Sequence, residues 1–212
     1  MYQLNGTFLS QVTQEKYLGV LISNDLSWAP HISSIATKAS QKLGFLKRNL
    51  RNCPVELKRL AYISTVRSSL EYASTVWDPA QANHKSMLEG VQRRAARWIL
   101  SDYGRHSSVT SMLKSLSLET LEERRRYSRL AFLYKVLHEE VEVAAHDLDL
   151  YRNPRATRGL TTQDKLMVPR CNTNELKTHF SSRTIPEWNR LPQTTTSADS
   201  VNSFKSQLTR QP

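Results

Sequence analysis

Apolar residues in the first thirty positions run as short extended segments, and after that they recur at helical spacing. Glu15-Lys16-Tyr17-Leu18-Gly19-Val20-Leu21-Ile22-Ser23 reads as a strand, with Asn24-Asp25 as the turn that ends it. An earlier strand around Thr7 to Val12 is its candidate partner. A hairpin alone is marginal in water, so something else must cover it. From residue 31 to 51, Ile32, Ile35, Ala39, Leu43, Leu46 and Leu50 form one helical stripe, with Lys38, Lys42, Lys47, Arg48 and Arg51 outside it.

A second helix is predicted from Pro54 to about Tyr72, with Leu57, Leu60, Ile63, Val66 and Leu70 inward. Trp77-Asp78-Pro79 ends that region as a turn or extended segment, because a residue before proline disfavours the helical conformation. A third helix spans roughly 83 to 100, with Leu88, Val91, Ala95, Trp98 and Ile99 on its apolar side and Arg93, Arg94 and Arg97 on its basic side. A short helix near 108 to 116 and a long one from about Glu119 to Glu140 follow. In the long helix Glu119, Glu122 and Glu123 precede Arg124, Arg125 and Arg126, an order that suits the helix dipole and allows i,i+4 pairs. Glu139, Glu140, Glu142, Asp147 and Asp149 then reverse the charge and suggest a boundary. Beyond Tyr151 the chain reads as extended segments, then short helices near 184–191 and 199–209.

The expected fold class is therefore mainly α: a short N-terminal β-hairpin over 1–30, a basic helical bundle over 31–138, and a loosely structured C-terminal extension over 139–212. Composition agrees with the last part, since hydrophobic residues make up 39% of the 212, low for a single well-packed globule.

Charge changes the picture from fold to partner. Thirty Lys and Arg stand against nineteen Asp and Glu, a net charge of +11 that attracts polyanions. The excess recurs on helix after helix: residues 38 to 67 carry Lys38, Lys42, Lys47, Arg48, Arg51, Lys58, Arg59 and Arg67 against Glu56 alone. Such crowding costs self-repulsion that a polyanion offsets, and nucleic acid is the expected partner. An anionic membrane surface is the rival, but no apolar run approaches the roughly 18 to 20 residues of a membrane span. The N-terminus lacks the basic and apolar regions of a signal peptide, and Cys53 and Cys171 form no CxxC pair, so an intracellular place, nuclear or cytoplasmic, is expected.

Catalytic chemistry is hard to find in these residues. The six histidines are dispersed, and there is no Walker loop, GxGxxG or GxSxG string. His146-Asp147-Leu148-Asp149 is the one acidic cluster beside a histidine, and it reads as a solvated helix end rather than a metal site. No cofactor and no small-molecule substrate are expected. Trp98 lies on an apolar stripe and reads as core, and Trp28 as a staple at the first helix, while Trp77 and Trp188 stay open between core and base-stacking platform.

Several strings bear on family. Lys16-Tyr17-Leu18-Gly19-Val20, then Asn24-Asp25-Leu26-Ser27-Trp28 and His31-Ile32, are followed by Leu43-Gly44-Phe45-Leu46-Lys47-Arg48-Asn49-Leu50. Leu70-Glu71-Tyr72-Ala73-Ser74-Thr75-Val76-Trp77-Asp78-Pro79, Leu88-Glu89-Gly90-Val91-Gln92-Arg93-Arg94-Ala95-Ala96-Arg97-Trp98 and Arg183-Thr184-Ile185-Pro186-Glu187-Trp188-Asn189-Arg190-Leu191-Pro192 complete the set. In order and spacing they resemble the segment that follows the palm in non-LTR (LINE-type, Jockey- or CR1-like) retrotransposon reverse transcriptases. That resemblance implies that Lys16, Tyr17, Leu18 and Gly19 belong to a primer-grip region at the palm–thumb junction. It implies that the helices carrying Lys38, Lys42, Lys47, Arg48, Arg93, Arg94 and Arg97 form a thumb that holds an RNA–DNA hybrid or primed template. A C-terminal extension follows the thumb. The chain departs from the family in lacking fingers, most of the palm and any paired-aspartate motif, and polymerases use such carboxylates to hold two metal ions. The expectation is a C-terminal polymerase fragment, inactive alone, whose partners are nucleic acid and the remainder of the polymerase. A free-standing helical adaptor derived from a retrotransposon is the alternative.

Overall fold

A computed structural model describes residues 3–8, 10–151 and 165–209 of the protein. The fold is mainly helical, with the strands confined to the N-terminus. The chain divides into two compact units, residues 1–73 with 81–118, and residues 74–80 with 119–212.

The first unit opens with two separate hairpins. Strands β1 (Gln3–Leu4) and β2 (Thr7–Phe8) pair with each other. Strands β3 (Gln14–Tyr17) and β4 (Val20–Ser23) form the second hairpin, in which Tyr17 faces Val20 and Gln14 faces Ser23. This corrects the single strand expected over 15–23 and its expected pairing with 7–12. The reason is the two-residue turn Leu18-Gly19, where both residues take positive φ (45° and 87°), the conformation that matches the twist of a tight hairpin. Tyr72 donates its hydroxyl to the Leu18 carbonyl at 2.9 Å, and the Leu21 amide donates to His31 Nδ1 at 3.1 Å. A Cβ at Gly19 would come within 3.2 Å of the Tyr72 ring, so glycine serves both the turn and this close approach. The cover of this hairpin thus comes from helices of its own unit.

Helix α1 (Ala29–Asn49) starts at Trp28 with Pro30 in its first turn, and buries Ile32, Ala36, Ala39, Leu43 and Leu46. The expected stripe is correct in outline, but Ile35 and Leu50 are only half-buried.

The second helical stretch departs further from expectation. Helix α2 (Val55–Ala61) runs into a π-helical segment (Tyr62–Arg67) and then α3 (Ser68–Glu71). Its buried residues are Lys58, Tyr62, Val66 and Leu70, while Leu57 and Leu60, expected inward, face solvent. Residues four apart drift around a regular α-helix, and the wider π turn keeps this i+4 series on one face. Lys58 is held with its ammonium 5.9 Å from the centre of the Trp98 ring. Tyr62 donates to Gln92 Oε1 at 2.9 Å within the core. Helix α5 (Ala82–Leu100) packs on α1 and α2, with Leu88, Val91, Ala95, Trp98 and Ile99 buried as predicted. Helix α6 (Val109–Ser115) completes this unit and is capped by the Ser108 side chain.

The second unit is built on α7 (Leu121–Leu137), which begins with a Thr120–Glu123 capping box. A helical turn, α4 (Ser74–Trp77), packs against α7, as do α9 (Phe180–Trp188) and α11 (Val201–Leu208). A 3₁₀ turn (Ala145–Leu148), α8 (Asn174–Thr178) and α10 (Gln193–Thr196) fill out the unit. Its core joins Leu130, Leu133, Tyr134 and Val136 of α7 to Ile185, Trp188, Phe204 and Leu208. The boundary expected near 139 falls within this unit, because the apolar side of α7 is covered by helices that come later in the chain. Trp77 and Trp188 are both buried, which settles them as core, and Trp98 is core as expected. Part of the extended stretch expected after Tyr151 lies outside the described residues.

Around Asp78 the second unit gathers its charges. Arg125 Nε donates to Asp78 Oδ1 at 2.8 Å, and Arg129 Nη1 donates to Oδ2. Arg183 places Nη2 2.9 Å from Oδ2 and donates Nη1 to the Asp78 carbonyl at 2.7 Å. Arg129 also donates Nη2 to both carboxylate oxygens of Glu187 at 2.9 Å. The sequence order allowed Arg125 an i,i+4 pair along its own helix. Its side chain is instead fully buried, while Arg124 lies 3.2 Å from Glu119 of the preceding acidic cluster.

Two predictions follow from this packing. Asp78→Asn leaves three guanidiniums facing a neutral amide, and removing one member of a buried ion-pair set costs about 3–5 kcal/mol. The urea midpoint should fall accordingly, and an unchanged midpoint would show that the network contributes nothing. The second concerns His31, whose pKa is lowered by burial and then by Lys38. Nδ1 accepts the Leu21 amide only while it is unprotonated, so the anchor requires the neutral ring. Its contribution is complete above the ordinary histidine pKa of about 6.5 and is lost as pH falls below that value toward the folded-state pKa. Stability measured from pH about 7 to 5 should decline more steeply in the wild type than in His31→Gln. Parallel curves would remove His31 from the account.

Candidate nucleic-acid interface

The first unit holds a groove between α1 and α5. Helices can approach closely where side chains are small, and here Ala36, Ser40 and Gly44 of α1 face Ser86 and Gly90 of α5 across an open space of about 780 Å³. Arg48, Arg93 and Arg94 edge it, and no acidic residue is among those lining it. Glycine in a helix interior costs stability, so two glycines on facing walls call for a reason. A Cβ at Gly44 would sit 3.6 Å from Arg48 Nη1, and one at Gly90 would sit 3.5 Å from Arg94 Nη1. Both distances are ordinary van der Waals contact, so the guanidiniums lie directly over the two glycines.

The arginines are positioned rather than loose. Arg94 donates Nη2 to Ser40 Oγ at 2.9 Å across the groove, and Arg93 donates Nη2 to the Ser86 carbonyl at 3.2 Å. Lys47 is half-buried nearby, and its pKa is lowered by that burial and then by the Arg94 charge. An anion in the groove would relieve this like-charge crowding.

The sequence-predicted site residues divide into separate places. Arg48, Arg93 and Arg94 meet in the groove, with Lys47 beside them. Lys38 and Lys42 are exposed on α1 and are not among the residues lining the groove, since at about 100° per residue they fall roughly 80° to 160° around the helix from Gly44 and Arg48. Lys42 donates Nζ to the Thr65 carbonyl at 3.4 Å, on the π-helical segment. Arg97 turns toward the loop after α5, where it donates to the Gly104 carbonyl at 3.3 Å. Asp102 in that loop is held below the usual carboxylate range by hydrogen bonds from Ser107 and Gly104, with Arg97 adding to the effect. Lys16, Tyr17 and Leu18 are exposed on the β3–β4 hairpin, and Gly19 sits at its turn. Sequence reading missed the small residues of the groove floor. Gly44 and Gly90, one in the middle of each helix, were the available signal.

Comparison with known proteins adds a family context. No family model matches the chain, and no solved structure matches it. Over 124 residues, 57% of this chain, it is 27% identical to the "Probable RNA-directed DNA polymerase from transposon BS" of Drosophila melanogaster. The alignment spans 14% of that protein's length. The chain is thus related to a transposon RNA-directed DNA polymerase, and it covers a minor share of that relative.

Proposed function

We propose that the chain is the thumb and C-terminal extension of a non-LTR retrotransposon reverse transcriptase, and that it grips template–primer nucleic acid through the α1–α5 groove. The observation that carries the reading is the convergence of Arg48, Arg93 and Arg94, two of them held by hydroxyl or carbonyl groups, on a groove without acidic residues. Guanidiniums and serine hydroxyls are donors suited to phosphate oxygens. The similarity to a transposon polymerase makes nucleic acid the natural polyanion. On this reading the exposed Tyr17 and Leu18 of the β3–β4 hairpin face the rest of the polymerase.

Binding should then be strongly salt-dependent and nearly indifferent to sequence. For a labelled RNA–DNA hybrid, anisotropy across a salt series should give a log–log slope of roughly −4 to −5 if about five phosphates are neutralised. The triple variant Arg48→Gln, Arg93→Gln, Arg94→Gln should flatten that slope by about 2 to 3, while Lys38→Gln with Lys42→Gln should change it by about 1 or less. Equal slopes for the triple variant and the wild type would place the binding surface elsewhere, and a folded wild type with no affinity at low salt would favour the adaptor alternative.

The same reading holds that the chain alone transfers no nucleotide. No two aspartates are adjacent anywhere in the sequence, and among the described residues no group of three His, Cys, Asp or Glu could hold a metal ion. Primer extension on a primed RNA template with magnesium and all four nucleotides should stay at background, and product that scales with the purified chain would overturn this part.

A further inference from the structure

The second unit contains a pocket of about 370 Å³ between α7 and α11 that the groove reading leaves unused. Arg124, Tyr127, Phe132 and Lys135 reach it from one face of α7, and Lys205 and Thr209 reach it from α11 and its C-terminal cap. We propose that this pocket takes one unpaired nucleotide of a single-stranded nucleic acid, with the base against Tyr127 and Phe132 and the phosphate between Lys135 and Lys205.

Charge, shape and packing support the assignment. Arg124 is already paired with Glu119 at 3.2 Å, whereas neither Lys135 nor Lys205 takes part in an ion pair among the described residues. Two ammonium groups without an ion pair, one from each of two packed helices, line the same pocket and make it attractive to a phosphate. The walls between them are aromatic. Phe132 is fixed by edge-on packing with Phe180 at 5.5 Å between ring centres. The Tyr127 phenol, whose pKa burial and then Glu119 and Glu123 push further up, carries a hydroxyl that can donate to a ligand. Helix α11 is set against α7 by the stacked rings of Tyr134 and Phe204, 4.7 Å apart, so the two lysines belong to packed elements.

An acidic peptide would satisfy the lysines but make little use of the two rings, whereas a base stacks on such rings whatever its identity. The base must be unpaired, because a duplex hides its base faces within the stack. The volume lies at the small end of ligand pockets, enough for one nucleotide and far too small for a helix. The site shares with the proposed function only the premise that nucleic acid is the partner, and it uses none of the groove residues.

The test uses the full chain and two probes, a short oligouridylate and an RNA–DNA hybrid. Lys135→Gln with Lys205→Gln, and separately Tyr127→Leu, should each weaken oligouridylate binding about tenfold while hybrid affinity changes by about twofold or less. The groove triple variant should show the opposite pattern, so failure of one site is distinguishable from failure of the other. Oligouridylate carrying 4-thiouridine should cross-link to the peptide that contains Tyr127 and Phe132. Circular dichroism and thermal melting establish that each variant is folded. Unchanged oligouridylate affinity in folded variants, equal losses on both probes, cross-links confined to other peptides, or displacement by oligoglutamate as effective as by unlabelled oligouridylate would each overturn the proposal.

Discussion

Asp78 anchors the second unit. Its carboxylate receives Arg125 and Arg129 from α7 and Arg183 from α9, and Arg129 passes the connection on to Glu187. Burying these charges is expensive, and attraction recovers the cost only when every partner is in place. Such a network is therefore selective before it is stabilising. It fixes the position of the 74–80 segment against α7, and of α9 against both, in one arrangement. The apolar contacts of Tyr134, Trp188 and Phe204 could be met by several small shifts of the same helices. The guanidinium–carboxylate geometry admits few of them.

The two units use positive charge in different ways. In the second, arginines at the core are paired with the carboxylates of Asp78 and Glu187 and serve architecture. In the first, the arginines of the α1–α5 groove are held by Ser40 and by the Ser86 carbonyl, neutral groups that orient a guanidinium without cancelling its charge. Two arginines of similar sequence context thus differ in what they offer a partner. The net charge of +11 is a sum over both kinds, and only the charge that no carboxylate offsets is available for binding.

Much of the fold was readable from apolar spacing. α1 and α5 stand within a few residues of where periodicity put them, since each carries a long single-faced stripe, and α6 and α7 lie close to their expected bounds. The failures have specific physical origins. Leu18-Gly19 is a weak turn signal in sequence, because leucine seldom takes positive φ, and so one strand was read where a hairpin exists. The π-helical segment changed the period under Leu57 and Leu60, and no count based on a regular helix anticipates that. The pairing of Arg125 was not legible because its partner, Asp78, lies 47 positions away. For the groove, the basic residues were visible one by one, but which of them share a wall depends on how α1 meets α5. Lys38 and Lys42 have the same composition signal as Arg48 and lie on another face of the helix.

The separations within the Asp78 network also set an order of events during synthesis. The first unit has all of its residues once position 118 has emerged from the ribosome, and it can close at that point. The 74–80 segment is made early but belongs to the other unit, and Arg183 lies 105 residues downstream of Asp78. At ~10 residues per second that delay is on the order of ten seconds. Throughout it Asp78 has a hydrated carboxylate and Trp77 lacks the core that will bury it. The nascent chain therefore carries a tethered, half-apolar loop between two finished helices until the missing sequence arrives.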